Sequence, residues 1–438
     1  MPSKTLEFSA MGRFVSTREI CAMALTGVVV MPLGLANGGT MVEPVGVRME
    51  YPLETGWVSA HDAAVDDEFE IDVAGASWVR VHFSEVVLSS GCTLSVESMR
   101  DGEHQDFTAG MMKAWSESTA YFNGDHLRLV VHTEAGGVSH VVVDEVEIGL
   151  GLSSRGTPDQ CGICGVDDRE PSTEFWTGRI MPVVCTGSVV CEDSTVIGAG
   201  HCAGSGQVLQ FHVPAADSAC GVVQPPVADQ FPLTVAASAN GGFGSDWAVY
   251  RCGVNTLGET PYERYGEMKR VSTVVAENGV ATDVWGYGVD DVCDRSRTQQ
   301  HSPGVVMGHG TGVYAVTNDV RTGSSGSAVV VDGEIVGVMT ICNLSCEGNY
   351  ATRVDVAGFH AALAATMGCG CLADMDDGTG SGIGDGAVTI DDLLYYLDVF
   401  RVGGSRADVD NATGSGTRDG AVTIDDLLYY LGRFDSGC

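Results

Sequence analysis

The chain has 438 residues, 44% hydrophobic and 18% charged, with 59 glycines: a globular composition, long enough for two to four domains. Its formal net charge of -35 argues against a nucleic-acid partner, because phosphate binding needs a basic face. Such an excess of acid suits solubility, high-salt surroundings or calcium binding, and the many short Val-rich runs favour β-structure over long helices.

The N-terminus carries Lys4, Arg13 and Arg18, then an apolar run from Ala22 to Leu35 that ends in Gly34-Leu35-Ala36. This pattern predicts a secretory signal over 1–36, cleaved near Ala36, with Met11 as an alternative start. The run is short for a membrane anchor, and no later segment is apolar enough for a stable membrane span. Fifteen cysteines fit export; Cys21 lies in the signal, which leaves 14. No Cys/His spacing resembles a zinc module. Cys161-Gly162-Ile163-Cys164 opens a loop-like segment, so structural disulfides are expected rather than a redox pair.

Residues 37–150 are predicted as a β-sandwich. Val79–Phe83, Thr93–Glu97 and Leu127–Val131 alternate apolar and polar residues between turn signals such as Asn123-Gly124. Its histidines (His61, His82, His104, His126, His132, His140) are expected on strand surfaces. The Gly/Ser/Pro/Asp-rich stretch 151–178 is predicted to be a linker tied down by disulfides. Dense β-patterning resumes over 179–366.

Three places in that last region carry chemistry. The strand Ser194–Gly198 ends in small residues and presents His201 beside Cys202. A Cys185–Cys202 bridge would clamp the preceding hairpin and fix the histidine's loop. Asp246 precedes the alternating strand Trp247–Tyr250, where a buried carboxylate needs a partner such as an imidazole N–H. Ser325 lies in Thr322-Gly323-Ser324-Ser325-Gly326-Ser327-Ala328, whose glycines let the backbone bend and a substrate approach. The order is His…Asp…Ser, with separations of 45 and 79 residues. A serine hydroxyl needs a general base near neutral pKa, and the aspartate fixes that base's tautomer. Backbone N–H groups of the glycine-rich loop can receive the oxyanion.

These motifs, over about 180–360, resemble those of trypsin-like (chymotrypsin-fold) serine peptidases. The resemblance implies two six-stranded antiparallel β-barrels, a triad of His201, Asp246 and Ser325 between them, and Gly323 and Ser325 N–H groups as the oxyanion hole. Val331–Glu334 reads as a hairpin turn, and 335–338 and 349–354 resemble the family's last strands. The animal enzymes place an aspartate before the nucleophile to pair with a newly cut N-terminus. Ser324 stands there, so the form is similar to bacterial glutamyl and lysyl endopeptidases, which are typically made with a pro-region; 37–150 is either that or a retained module. Asp319 falls where trypsin-type enzymes place the acid for Lys or Arg, but the usual cysteine after it is Arg321. A histidine expected near Met339 for glutamyl specificity is absent, and Thr340 is a candidate for substrate backbone contacts. His212, His301 and His309 are surplus to the triad. The α/β-hydrolase alternative needs Gly-x-Ser-x-Gly and the reverse order, and position 327 is serine.

Residues 369–438 contain a repeat at a 34-residue offset: Asp385–Leu397 recurs as Asp419–Leu431, and Asp374-x-Asp376 as Asp408-x-Asp410. Aligned with an EF-hand-type loop, the first repeat offers Asp374, Asp376, Asp385, the carbonyl of Ala387, Thr389 and Asp392. The second offers Asp408, Asp410, Asp419, Ala421, Thr423 and Asp426, so two calcium ions are expected. Seven glycine-rich residues loop out in each copy. The Leu-Leu-Tyr-Tyr-Leu runs are predicted as short helices whose leucines form the repeat-to-repeat core. The pair resembles a dockerin, which implies a cohesin-like partner or surface anchor; Cys371–Cys438 would close the domain. The sequence thus predicts a mainly β exported serine endopeptidase, needing no cofactor for catalysis, with a calcium-dependent docking module. The alternatives are a catalytically silent, protease-like binding protein of a surface complex, or a carbohydrate-active partner, for which no paired carboxylates are found.

Overall fold

Nine strands fold the N-terminal region into a two-sheet sandwich. They are β1 (Gly46–Glu54), β2 (Val58–Ser59), β3 (Val65–Asp72), β4 (Ala76–Leu88), β5 (Thr93–Ser98), β6 (His104–Phe107), β7 (Phe122–Asn123), β8 (His126–Thr133) and β9 (Val138–Leu150). The structure is a computed structural model describing residues 45–150, 161–218, 220–343, 346–367, 372–373, 375–376, 378, 388–414 and 419–436. The expected signal, with Asp374, Asp385, Ala387, Cys371 and Cys438, lies outside the described residues. One sheet runs β1-β9-β4-β7, with β2 on β9, and the other β3-β8-β5-β6. β5 and β8 alternate as expected, so Leu94, Val96, Leu127, Leu129 and Val131 face the core.

β4 does not alternate: Trp78 through Phe83 are all buried, because both faces of the strand are covered. Arg80 donates to Thr119 O at 2.8 Å and to Gly206 O at 2.6 Å, the latter from the next domain. Two histidines expected on strand surfaces are buried for the same reason. His82 bonds the Ser118 hydroxyl at 2.9 Å, and His140 stacks on Trp57 at 4.6 Å. The sandwich docks on the following barrel through reciprocal amides. Tyr121 N–H donates to Gln230 Oε1 at 2.9 Å, and Gln230 Nε2 returns a bond to Tyr121 O at 2.8 Å. Asn123 and Gln224 repeat the exchange at 3.0 and 2.9 Å. Met181, Val208, Val222 and Val227 join the sandwich's apolar core.

Two barrels follow. β11 (Thr177–Met181), β12 (Cys185–Val189), β13 (Thr195–Gly198), β14 (Gln207–Gln210), β15 (Gln230–Asn240) and β16 (Asp246–Cys252) close in the order β11-β12-β13-β16-β15-β14. The second contains β17 (Ala281–Gly286), β18 (Gln300–Gly310), β19 (Val313–Val316), β20 (Ala328–Val331), β21 (Glu334–Ile341) and β22 (Asn349–Arg353). It runs β18-β17-β20-β21-β22-β19 and closes through β18–β19 pairing. Asp332 (φ 50°) and Gly333 (φ 85°) make the predicted two-residue turn between β20 and β21, both in the left-handed region such a hairpin requires. The stretch expected as a linker is partly sheet, since β10 (Glu170–Pro171) pairs with β18.

Disulfides join Cys161–Cys342, Cys164–Cys346, Cys185–Cys202 and Cys220–Cys293, while Cys92 and Cys252 are buried free thiols. Among the described residues, no helix is long and apolar enough to cross a membrane.

The repeat region forms two helices, Ile390–Arg401 and Ile424–Ser436. Of the expected leucines only Leu393 and Leu427 pack against its core, which is centred on two tyrosines. Tyr396 and Tyr430 stack face to face at 3.7 Å, and each hydroxyl crosses to the other repeat, Tyr396 to Ala407 O and Tyr430 to Ala373 O. A buried tyrosine needs a partner for its hydroxyl, and this crossing supplies one. Leu394, Leu397, Leu428 and Leu431 are exposed instead.

Candidate active site

The register of β13 and β16 brings the first two candidate residues together. Gly198 pairs with Ala248 in an antiparallel ladder, so the chain leaving β13 runs back toward the start of β16. His201, in the single turn Gly200–Cys202, thereby meets Asp246. The imidazole Nδ1 lies 2.7 Å from Asp246 Oδ2, and the His201 backbone N–H donates to Asp246 Oδ1 at 2.9 Å. Asp246 is 4% exposed, whereas the His201 side chain keeps 32% of its surface open. A buried carboxylate holding one ring nitrogen fixes the proton at Nδ1 and leaves Nε2 as a base. The Cys185–Cys202 bridge ties this turn to β12. Cys185, His201 and Cys202 also form the one convergence of three potential metal-ligating residues among the described residues. The two sulfurs are bonded to each other, so they are not thiolate ligands.

Gly200 enters this turn with almost no clearance: a Cβ there would lie 1.8 Å from Ala239 O and 2.8 Å from Trp247 O. The turn is wedged between the backbones of β15 and β16.

Ser325 sits just before β20, between Gly323 (φ 101°) and Gly326 (φ 88°). Both glycines hold left-handed backbone, which L side chains rarely adopt. The loop is pinned to both barrels. Thr186 of β12 donates its N–H to Ser325 O at 2.8 Å and its hydroxyl to Gly323 O at 3.0 Å. Gly326 N–H donates to Met339 O of β21 at 2.7 Å. A Cβ on Gly326 would meet Ala199 N at 3.0 Å and Gly198 Cα at 3.2 Å, so the serine loop lies against the chain leading into His201. Ser325 is half-buried, while Ser324 and Ser327 on either side are buried. Among the described residues, no acceptor takes the N–H of Gly323 or of Ser325.

The other candidates are placed differently. Asp319 is buried, and its two carboxylate oxygens accept the N–H groups of Cys164 and Asp168, each at 3.1 Å. Burial pushes its carboxyl above the usual range. Thr340 is 9% exposed, and its hydroxyl reaches Tyr350 O at 3.4 Å. Of the surplus histidines, His212 pairs with Asp229 at 3.1 Å and His301 with Asp283 at 2.7 Å. Sequence reasoning missed Thr186. A threonine in a strand carries no signal of its own, and only the fold brings it to a loop 137 residues away.

In the repeats, Asp392 accepts N–H groups from Met375, Asp376 and Thr389, and Asp426 accepts those of Val409, Asp410 and Thr423. Burial pushes both carboxyls up, but these donors outweigh it and hold them below the usual range. Asp408 accepts from Asp419 N and Gly420 N, and Ala421 N–H bonds Asp419.

The architecture is the double antiparallel β-barrel of the chymotrypsin-like fold, with His201 and Asp246 on one barrel and Ser325 on the other. No protein-family model matches the chain, and no curated protein does. Among solved structures, a Glu endopeptidase in complex with MPD is similar at 19% identity and a TM-score of 0.35, over 46% of this chain and 97% of its own. A mutant of human heparin binding protein is similar at 13% identity and a TM-score of 0.35, over 44% and 92%. An atomic-resolution structure of heparin binding protein gives 13%, a TM-score of 0.34 and the same coverage.

Proposed function

We propose that the chain is a secreted serine endopeptidase acting through an acyl-enzyme. The observation that carries this reading is the buried Asp246 holding Nδ1 of a half-open His201, with Gly326 of the serine loop packed against Gly198 and Ala199, the chain leading into that histidine. His201 Nε2 takes the proton of the Ser325 hydroxyl as Oγ attacks the peptide carbonyl. Asp246 stabilises the imidazolium that forms, and the Gly323 and Ser325 N–H groups receive the oxyanion. The imidazolium then protonates the leaving amine, the C–N bond breaks, and the serine ester remains. A water, deprotonated by the same histidine, attacks the ester and frees the acid and Ser325. A fluorophosphonate should label the intact protein once, and peptide mass spectrometry should place the label on Ser325. Labelling elsewhere, or none, favours a catalytically silent binding protein.

We further infer that residues 369–438 are a dockerin-like calcium module that docks to a cohesin-like partner. The support is chemical. Asp376, Asp392, Asp408, Asp410 and Asp426 are all buried carboxylates, an all-oxygen donor set that suits a hard cation. With Thr389, Asp419, Ala421 and Thr423, and with Asp374, Asp385 and Ala387 outside the described residues, they would hold two ions. Bound calcium would offset the mutual repulsion of the loops' acids. The exposed stripes Ile390/Leu394/Leu397 and Ile424/Leu428/Leu431 offer an apolar face to a partner. Calcium should slow proteolysis within 371–438 by about tenfold or more relative to chelator; equal rates would refute the module's metal dependence.

A further inference from the structure

The segment 161–169 is fastened to the second barrel more heavily than a connection requires. Two disulfides bind it to the loop after β21, at Cys342 and Cys346. Gly162 O accepts Val320 N–H at 3.2 Å and Asn349 Nδ2 at 2.8 Å, and Gly162 N–H donates to Asn343 O at 3.1 Å. A Cβ on Gly162 would lie 2.3 Å from Val320 O, so the segment lies directly on the chain between Asp319 and Ser325. Asp319 takes the N–H groups of Cys164 and Asp168, and Asp168 accepts the Ser302 hydroxyl.

The same segment reaches the loop over 288–297. Arg169, with its side chain 3% exposed, donates to Val289 O and pairs with Asp290 at 3.1 Å and Asp167 at 2.7 Å. Burial pushes the Asp167 carboxyl up, but the Arg169 guanidinium outweighs it and holds the group below the usual range. Arg295 donates to Arg169 O at 2.7 Å. Val289 N–H then donates to Thr322 O, and Gly288 separates Arg169 from Ser324: a Cβ there would be 3.1 Å from Arg169 Nη1 and 2.8 Å from Ser324 Oγ. Ser324 itself carries no charge and is held locally, its N–H on Arg321 O at 2.8 Å.

We propose that 161–169 is a strap that holds the Ser325 loop in its working shape from behind, with Asp319 as the strap's clamp rather than as an acid for the substrate. The strap supplies from within the intact chain the order that a charged N-terminus cannot give to Ser324. Asp319 and Arg169 are positioning residues: they act on Gly323 and Ser325 through the backbone of 320–322 and 288–289. The proposal rests on the peptidase reading for what the loop does, and on the geometry alone for how it is held.

Asp319→Asn in the full-length protein tests it. An amide has one acceptor where the carboxylate has two, so either Cys164 N–H or Asp168 N–H faces an NH2 group. Hydrogen–deuterium exchange over 161–169 and 319–326 should rise about tenfold, the worth of one charge-assisted hydrogen bond, with β11–β16 unchanged. Fluorophosphonate labelling of Ser325 should slow by a similar factor, and cleavage after every type of residue should fall in parallel. Arg169→Lys, a milder change, should do the same over 288–297, so a failure of Asp319→Asn to fold does not end the test. Unchanged exchange in both variants overturns the strap. Selective loss of cleavage after Lys and Arg, with labelling unchanged, overturns the clamp and makes Asp319 the substrate acid. Wild-type protein that never labels, with exchange rising in the variants, sinks the peptidase reading and leaves the strap standing.

Discussion

In an Asp246→Asn variant, peptide turnover at neutral pH should fall by about 10⁴-fold with the fold retained. Asp246 has two tasks, one per oxygen: Oδ1 accepts the His201 backbone N–H and Oδ2 accepts Nδ1–H. Asparagine keeps one acceptor and replaces the other with a donor. The backbone N–H cannot change its role, so the amide oxygen turns to it and the NH2 group confronts the ring. Nδ1 must then accept, which moves the imidazole proton to Nε2, where the Ser325 proton has to go. The loss is therefore in kcat and in labelling rate, with substrate binding little changed. Steady-state kinetics and thermal melting of the purified variant check it. A decrease below about tenfold would mean that the ring is oriented by something else.

Gly200→Ala should be the most damaging small substitution, removing more than about 3 kcal/mol of stability. The reason is space, because the atoms a methyl group would strike are the Ala239 and Trp247 carbonyls. Those oxygens belong to β15 and β16, which cannot yield as a flexible side chain would. Any relaxation lifts His201 away from Asp246, so residual activity should fall further than stability. Gly333→Ala is the matched control in the same denaturant titration. Its Cβ meets nothing within 4 Å but inherits φ 85°, and about 1–2 kcal/mol is expected. Equal costs at the two positions would show that clearance at Gly200 is not the issue.

The two barrels follow from the resemblance that the three motifs carry, and the His201–Asp246 pairing from local chemistry. A glycine that must bend, an aspartate at a strand's start and a histidine after small residues all sit in short windows. That the segment at Cys161 and Cys164 is tied down by disulfides is legible, but what it is tied to is not: Cys161 and Cys342 are 181 residues apart, and many pairings of the cysteines are open from sequence. For Asp319, spacing to Ser325 says where the residue lies but not that the N–H groups of Cys164 and Asp168 reach its carboxylate. The repeat helices show a third limit. In Leu-Leu-Tyr-Tyr-Leu every residue is apolar enough to be buried, so periodicity cannot choose a face. The crossing of Tyr396 and Tyr430 hydroxyls decides it. The strand pattern expects His82 and His140 on surfaces because nothing in it announces the Ser118 hydroxyl or the Trp57 ring that meets them.

The amide exchange between the sandwich and the first barrel carries a consequence for replacing either one. Tyr121 and Gln230 meet by two bonds whose donors and acceptors are matched one to one, as do Asn123 and Gln224. Loss of the Gln230 or Asn123 side chain leaves a desolvated backbone N–H and C=O across the joint, whereas Tyr121 and Gln224 contribute only backbone and can change side chain without breaking it. Each domain thus reads the other's backbone with one amide side chain of its own. A different sandwich put in its place would have to present a backbone amide to Gln230 and an amide side chain to the backbone of Gln224, and nothing else about its sequence is prescribed at this joint.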